Sequence, residues 1–163
     1  MKSGTYFIYH GKEYMDSTKS VPKGYKILLS GNKDDLDDGF YCTESENFMK
    51  KFGFVCEKKV SISEITEAYK IETTAIYKTQ KYYVDRASTQ GEDMVRIYTP
   101  PISTVKETEL YNEYKKNGFS DGMKFEYGDV LLYTYVSVND PDLQIVEKRT
   151  KLDISKLEVD SRP

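Results

Sequence analysis

The sequence predicts an α+β fold, mostly antiparallel β-sheet with two or more short helices, and three observations carry that prediction. Aromatic and β-branched residues alternate over several short stretches, the period of a half-buried strand. Glycine, asparagine and aspartate punctuate those stretches, as turns between strands require. Four patterns of the first half also recur, in the same order, in the second half, so a tandem duplication of a β-rich repeat is expected.

The elements follow in order. "TYFIYHGKEYMDS" (residues 5–17) reads as a hairpin broken at "HGK". "YKILLSG" is a buried strand closed by Gly31. In "CTESENFMKKFG", Thr43 fits an N-cap with Glu46 three residues on, Phe48, Met49 and Phe52 form an apolar stripe, and Gly53 stops the helix. "FVCEKKVSI" returns as a strand, Ser63 caps a single helical turn, and "KIETTAIYKTQKYYVD" enters a second hairpin. Pro100–Pro101 marks a break before "STVKETELYNEYKKNG", a helix with Thr104 as N-cap, Glu107 in capping-box register, and Leu110, Tyr111 and Tyr114 on one face. "MKFEYGDVLLYTYVSV" is a long strand bent at Gly128, "NDPDL" a turn and "LQIVEKR" a short strand.

The repeat pairs Ile8 with Ile76, Tyr9 with Tyr77, Lys12 with Gln80 and Tyr14 with Tyr82. It then pairs Ile27 with Val95 and Leu29 with Ile97, Phe40 with Phe119, and Val60, Ser61 and Ile62 with Val136, Ser137 and Val138. This gives a first repeat over residues 1–73, a second over 74–150, and an edge strand or mobile tail over 151–163, all in one compact unit. His10, the only histidine, matches Lys78, and Gly11 matches Thr79. What recurs is the packing set, so His10 reads as a turn residue.

Bulk properties narrow the function classes. A formal net charge of −3 with interspersed signs and no basic block argues against nucleic acid as partner. The opening "MKSGTYF" lacks the features of a secretory signal, and no apolar run is long enough for a membrane span. A cytoplasmic protein is therefore expected, with Cys42 and Cys56 as free thiols. Fifteen tyrosines and no tryptophan suit strands with half-wet faces, and equally a protein-binding surface.

Motifs for chemistry are sparse. "GNKDDLDDGF" holds Asp34, Asp35, Asp37 and Asp38. Anchored on Gly39, a calcium loop would place Leu36 and Ser45 at ligand positions, so that reading fails. The segment is either a solvated loop or an acidic platform for a cationic partner. No nucleophile motif, phosphate-cradling glycine loop or metal-ligand spacing is present, and no cofactor is expected. "IYHG" and "DGFYCTESENFMKKFG" resemble the aromatic–His–Gly strand and strand-to-helix junction of bacterial ADP-ribosyltransferase-like proteins. That resemblance implies nicotinamide-nucleotide contacts at His10 and Tyr41, although no catalytic glutamate strand follows.

A small, leaderless, acidic, tyrosine-rich and motif-poor α+β chain resembles in type the immunity proteins of bacterial polymorphic or contact-dependent toxin systems. The resemblance implies a stoichiometric inhibitor rather than an enzyme. Its partner would be a cognate toxin C-terminal domain, such as a basic nuclease or another cytoplasmic enzyme. Asp34, Asp35, Asp37 and Asp38 would steer the encounter, and Tyr41, Tyr111 and Tyr114 would anchor it. A β-rich interaction or regulatory module without a toxin partner is the other expectation.

Overall fold

The computed structural model describes residues 2–86 and 93–157. Its first reversal joins β1 (Gly4–Tyr9) to β2 (Lys12–Asp16) through His10 and Gly11, at φ 48° and 76°. Positive φ at both central residues makes this the hairpin turn whose twist matches that of the flanking strands. The same turn recurs between β5 (Ile65–Tyr77) and β6 (Gln80–Arg86), where Lys78 and Thr79 adopt φ 47° and 71°. Both hairpins and the mainly antiparallel α+β character thus agree with the sequence.

The chain divides into two units. The N-terminal unit comprises Ser3–Glu72 and the chain from Lys148 onward; the central unit comprises Lys2 with Thr73–Glu147. In the N-terminal unit β3 (Tyr25–Ser30) pairs β2, β4 (Cys56–Ser61) pairs β3, and the first part of β5 pairs β1. The spatial order is β4-β3-β2-β1-β5. Its core gathers Phe7, Tyr9, Tyr14, Leu28, Phe40, Cys56, Val60, Ile65 and Ala68. Leu152, Ile154 and Leu157 pack against this core, and the Leu152 amide donates to the Ala68 carbonyl at 2.8 Å. Residues 158–163 of the expected tail lie outside the described residues.

In the central unit β7 (Met94–Tyr98) pairs β6, and β10 (Asp129–Ser137) pairs β7. The spatial order is β5-β6-β7-β10, with β11 (Leu143–Lys151) pairing β5 and β8 (Ile102–Ser103) pairing β10. Alternation along β6, β7 and β10 sends Tyr82, Val84, Val95, Ile97, Leu132 and Val136 into the core, where Phe119 joins them. Tyr83, Asp85, Arg96, Tyr98, Tyr133 and Tyr135 alternate with those core positions and remain half-buried or exposed.

Several local expectations need correction. Helix α1 (Glu46–Phe52) is capped by Ser45, whose hydroxyl accepts from the Phe48 amide at 3.2 Å, not by Thr43. The Phe52 side chain of the expected stripe lies outside the described residues. Helix α2 (Thr108–Lys116) begins after Glu107 rather than at Thr104. The turn before it is built on Ser103, which accepts from the Lys106 amide at 3.1 Å while the Glu107 carboxylate accepts from the Ser103 amide at 2.9 Å. The short turn after β4 is capped by Ser61 paired with Glu64, not by Ser63. Gly128, at φ 95°, does not bend one long strand; it closes a hairpin between β9 (Ser120–Lys124) and β10. Cys42 and Cys56, expected as free thiols, are joined as a disulfide.

Lys26 opposes Val60 in the N-terminal unit, and Val95 opposes Val136 in the central unit. Leu28 and Ile97 are both 0% exposed. The two glycine–phenylalanine pairs have similar local geometry. Gly39 and Gly118 adopt φ 86° and 88°, and each following phenylalanine amide donates to the carbonyl five residues back, Asp35 or Tyr114. That left-handed glycine ends a helical turn, which in the N-terminal unit is the 3₁₀ turn Lys33–Asp38 and in the central unit α2.

Candidate functional site

The acidic segment is a 3₁₀ turn rather than a loop, and its four aspartates part company. Asn32 caps it, accepting from the Asp34 amide at 3.1 Å. Asp35 points inward at 3% exposure. It accepts from the Ser30 hydroxyl, from the Tyr14 hydroxyl at 3.1 Å and from Lys12 Nζ at 3.3 Å. Burial pushes its carboxyl upward, but those hydrogen bonds and the Lys12 charge outweigh burial and hold it below the ordinary range. Asp35 is thus a structural anchor, closed to a partner. Asp38 pairs with Lys12 at 3.2 Å, while Asp34 and Asp37 are exposed.

The three nominated tyrosines are also separated by their settings. Tyr41 is 49% exposed and bridges to Glu57 on β4. Tyr111 donates to the Asp121 carboxylate at 2.9 Å, which raises its hydroxyl above the usual value. Tyr114 packs edge-on to Phe119 at 4.9 Å and donates to Gln80 at 3.3 Å. Both helical tyrosines therefore help seat α2 on the central unit. His10 is exposed at its hairpin tip, stacked on Tyr9 at 3.9 Å.

A surface that the sequence reading missed lies on the outer face of the central unit. Tyr83, Tyr98 and Tyr133 stand opposite one another across β6, β7 and β10. Asp85, Arg96 and Tyr135 form the next row in the same register. Tyr83 and Tyr98 stack at 5.5 Å, and the Arg96 guanidinium lies 5.9 Å from the ring centres of both Tyr98 and Tyr133. Asp85 grips that guanidinium through two hydrogen bonds, one of them Nε to Oδ1 at 3.0 Å. Tyr83 remains 50% exposed. The signal was in the parity of "YYVDR", "VRIYT" and "LYTYV", where every second residue opposite the core is aromatic or charged.

The central unit also holds a cleft of about 330 Å³, lined among others by Tyr77, Gln80, Tyr82, Glu113, Tyr114 and Phe119. Gln80 Oε1 accepts from Tyr82 at 2.8 Å and from Tyr114 at 3.3 Å. Burial raises the Tyr82 hydroxyl far above its ordinary value, and the neighbouring Tyr114 adds to the effect. Tyr82 therefore presents an aromatic face and a hydroxyl dipole rather than charge. Among the described residues no group of three or more His, Cys, Asp or Glu side chains is placed to hold a metal ion.

The family described as "Uncharacterised conserved protein UCP033725" matches residues 1–155. The chain belongs to that family. The match takes in residues of both units. No curated protein and no solved structure matches the chain. No helix among the described residues is long and apolar enough to cross a membrane.

Proposed function

We propose that the protein is a stoichiometric inhibitor, an immunity protein that binds a cognate bacterial toxin domain in the cytoplasm and covers its active site. The observation that carries this reading is the double row Tyr83–Tyr98–Tyr133 and Asp85–Arg96–Tyr135. Tyrosine and arginine are the residue types that concentrate binding energy at protein interfaces. Here the rings are stacked and the guanidinium is pinned before any partner arrives, which lowers the entropy lost on binding. Asp34 and Asp37 add exposed negative charge suited to steering a basic partner.

Growth rescue tests the reading. Co-expression with a toxin domain encoded beside the gene should restore growth, and the purified proteins should form a one-to-one complex. Tyr83→Ala with Tyr133→Ala should weaken that complex about 100-fold or more while leaving the fold intact. Absence of rescue with every neighbouring toxin domain rejects the immunity reading; a complex without rescue selects an interaction module instead. The compartment has its own test. Cytoplasmic reductants would open Cys42–Cys56, so thiol labelling of protein taken directly from cells should find both cysteines free. A retained disulfide would place the protein elsewhere.

We also infer that the two units descend from one repeat. Supporting this are the shared strand order, the shared positive-φ hairpin turns, and the shared glycine–phenylalanine cap. Tyr14 stacks on Phe40 at 4.9 Å and 29°, and Tyr82 on Phe119 at 5.7 Å and 27°. Relatives whose halves carry unrelated residues at these positions would count against common descent.

A further inference from the structure

The rings beside the central cleft have counterparts in the N-terminal unit. Tyr9, Tyr14 and Phe40 there hold the places of Tyr77, Tyr82 and Phe119 in strand register and cap geometry. A lysine of the chain itself lies against that set. Lys58 Nζ is 5.1 Å from the Tyr9 ring centre and 5.9 Å from that of Phe40, and it donates to the Asp38 carbonyl. This is a cation on aromatic faces, with its stem along apolar surface and one carbonyl as acceptor.

The registers identify what replaces each part. Lys58 opposes Leu28, and Thr134 opposes Ile97, so Thr134 stands where Lys58 stands. Asp38 and Asn117 each precede the left-handed glycine, so Asn117 stands for Asp38. Both Thr134 and Asn117 line the 330 Å³ cleft. Thr134 has neither a four-carbon stem nor a charge to place in the cleft. Glu113, exposed on α2 and lining the same cleft, supplies a carboxylate. Lys78 lines the same cleft from the exposed hairpin tip, its ammonium 5.2 Å from the Tyr77 ring centre, and is the charge an incoming ammonium must displace or oppose.

The geometry points to the central cleft as a binding site for an alkylammonium group, presented as the lysine side chain of a partner protein. The N-terminal unit supplies the internal pattern: the same ring positions, already bearing a lysine. Binding here stands on the cleft alone and is separable from the immunity reading, because a lysine analogue tests it with no toxin present. Failure of rescue would leave it intact, and failure of the analogue would leave the tyrosine rows intact.

The test is a ¹H NMR titration of the full chain with Nα-acetyl-lysine N-methylamide, with the uncharged norleucine analogue as control. The lysine analogue should give saturable shifts of the Tyr77, Tyr82 and Phe119 ring protons, with Kd on the order of 1–10 mM. The norleucine analogue should give none. Glu113→Gln should weaken binding about threefold, and Lys78→Ala should tighten it by a similar factor. Thr134→Lys, which installs the residue of the N-terminal unit, should fill the cleft and abolish the shifts. Absence of saturation by about 50 mM, or equal shifts from norleucine, overturns the proposal. So does wild-type affinity in a folded Thr134→Lys variant. Should that variant not fold, the exposed Glu113→Gln decides, and unchanged affinity there overturns it.

Discussion

The N-terminal and central units stack a tyrosine on a phenylalanine in the same way and then set different polar groups beside the stack. Beside Tyr14 and Phe40 the N-terminal unit buries a carboxylate, Asp35, and surrounds it with Ser30, Tyr14 and Lys12. Beside Tyr82 and Phe119 the central unit places Gln80, a neutral amide, and leaves a cleft. A buried charge requires a full set of partners, and Asp35 has three donors. A neutral acceptor makes no such demand, and Gln80 serves two tyrosine hydroxyls. The contrast teaches that one ring stack can carry either a fixed, buried carboxylate or an exposed amide, with very different consequences for stability.

Removing each phenylalanine should show the largest effect. Phe40→Ala and Phe119→Ala should each cost about 3–5 kcal/mol, because both rings are almost fully buried and stacked. Urea unfolding of the two variants measures this, and costs that differ by more than about 2 kcal/mol would break the parallel.

Asp35 sharpens the contrast at a smaller scale. Asp35→Ala strands the Ser30 and Tyr14 hydroxyls and should cost about 2–3 kcal/mol, whereas Gln80→Ala, at an exposed amide, should cost under about 1 kcal/mol. The sign with pH follows from the depressed carboxyl of Asp35. Its contribution is complete above the ordinary carboxyl pKa of about 4 and is lost as pH falls through the lower folded value. Asp35→Asn should therefore flatten the fall in urea midpoint between neutral and acid pH. A variant with the same acid slope as the wild type would remove Asp35 from the account. At the alkaline end, burial and the bond to Asp35 push Tyr14 up to about 12. Its contribution is present below about 10, the ordinary tyrosine value, and is lost as pH rises toward about 12.

The hairpin turns differ least. Gly11 takes φ 76° freely, but Thr79 is a β-branched residue held at φ 71°. Thr79→Gly should raise stability by about 1 kcal/mol and Gly11→Thr should lower it by about the same, read from melting temperatures. A destabilised Thr79→Gly protein would contradict the equivalence of the turns.

Much of this was legible in the chain itself. Hairpins announced themselves through period-two alternation around "HGK" and "KTQ", and the glycine–phenylalanine pairs through the likeness of "DGF" to "NGF". Less legible were the caps, because Thr43 and Ser45, or Thr104 and Ser103, offer chemically equivalent hydroxyls a residue or two apart. Which of Ile27, Leu28 and Leu29 is fully buried was not legible, because all three are apolar and only pairing chooses among them. Asp35 looked like its neighbours until the 3₁₀ turn pointed it inward. The tyrosine rows needed registers between strands far apart in sequence, which alternation within one strand does not supply.

Leu152, Ile154 and Leu157 lie on the N-terminal core although the whole central unit separates them from it in sequence. During synthesis the ribosome therefore delivers the last apolar cover of the first-made unit only after the central unit has emerged. The earliest strands wait, part uncovered, until residues 152–157 emerge, so nascent chains stalled near residue 147 need a chaperone more than those that have passed it.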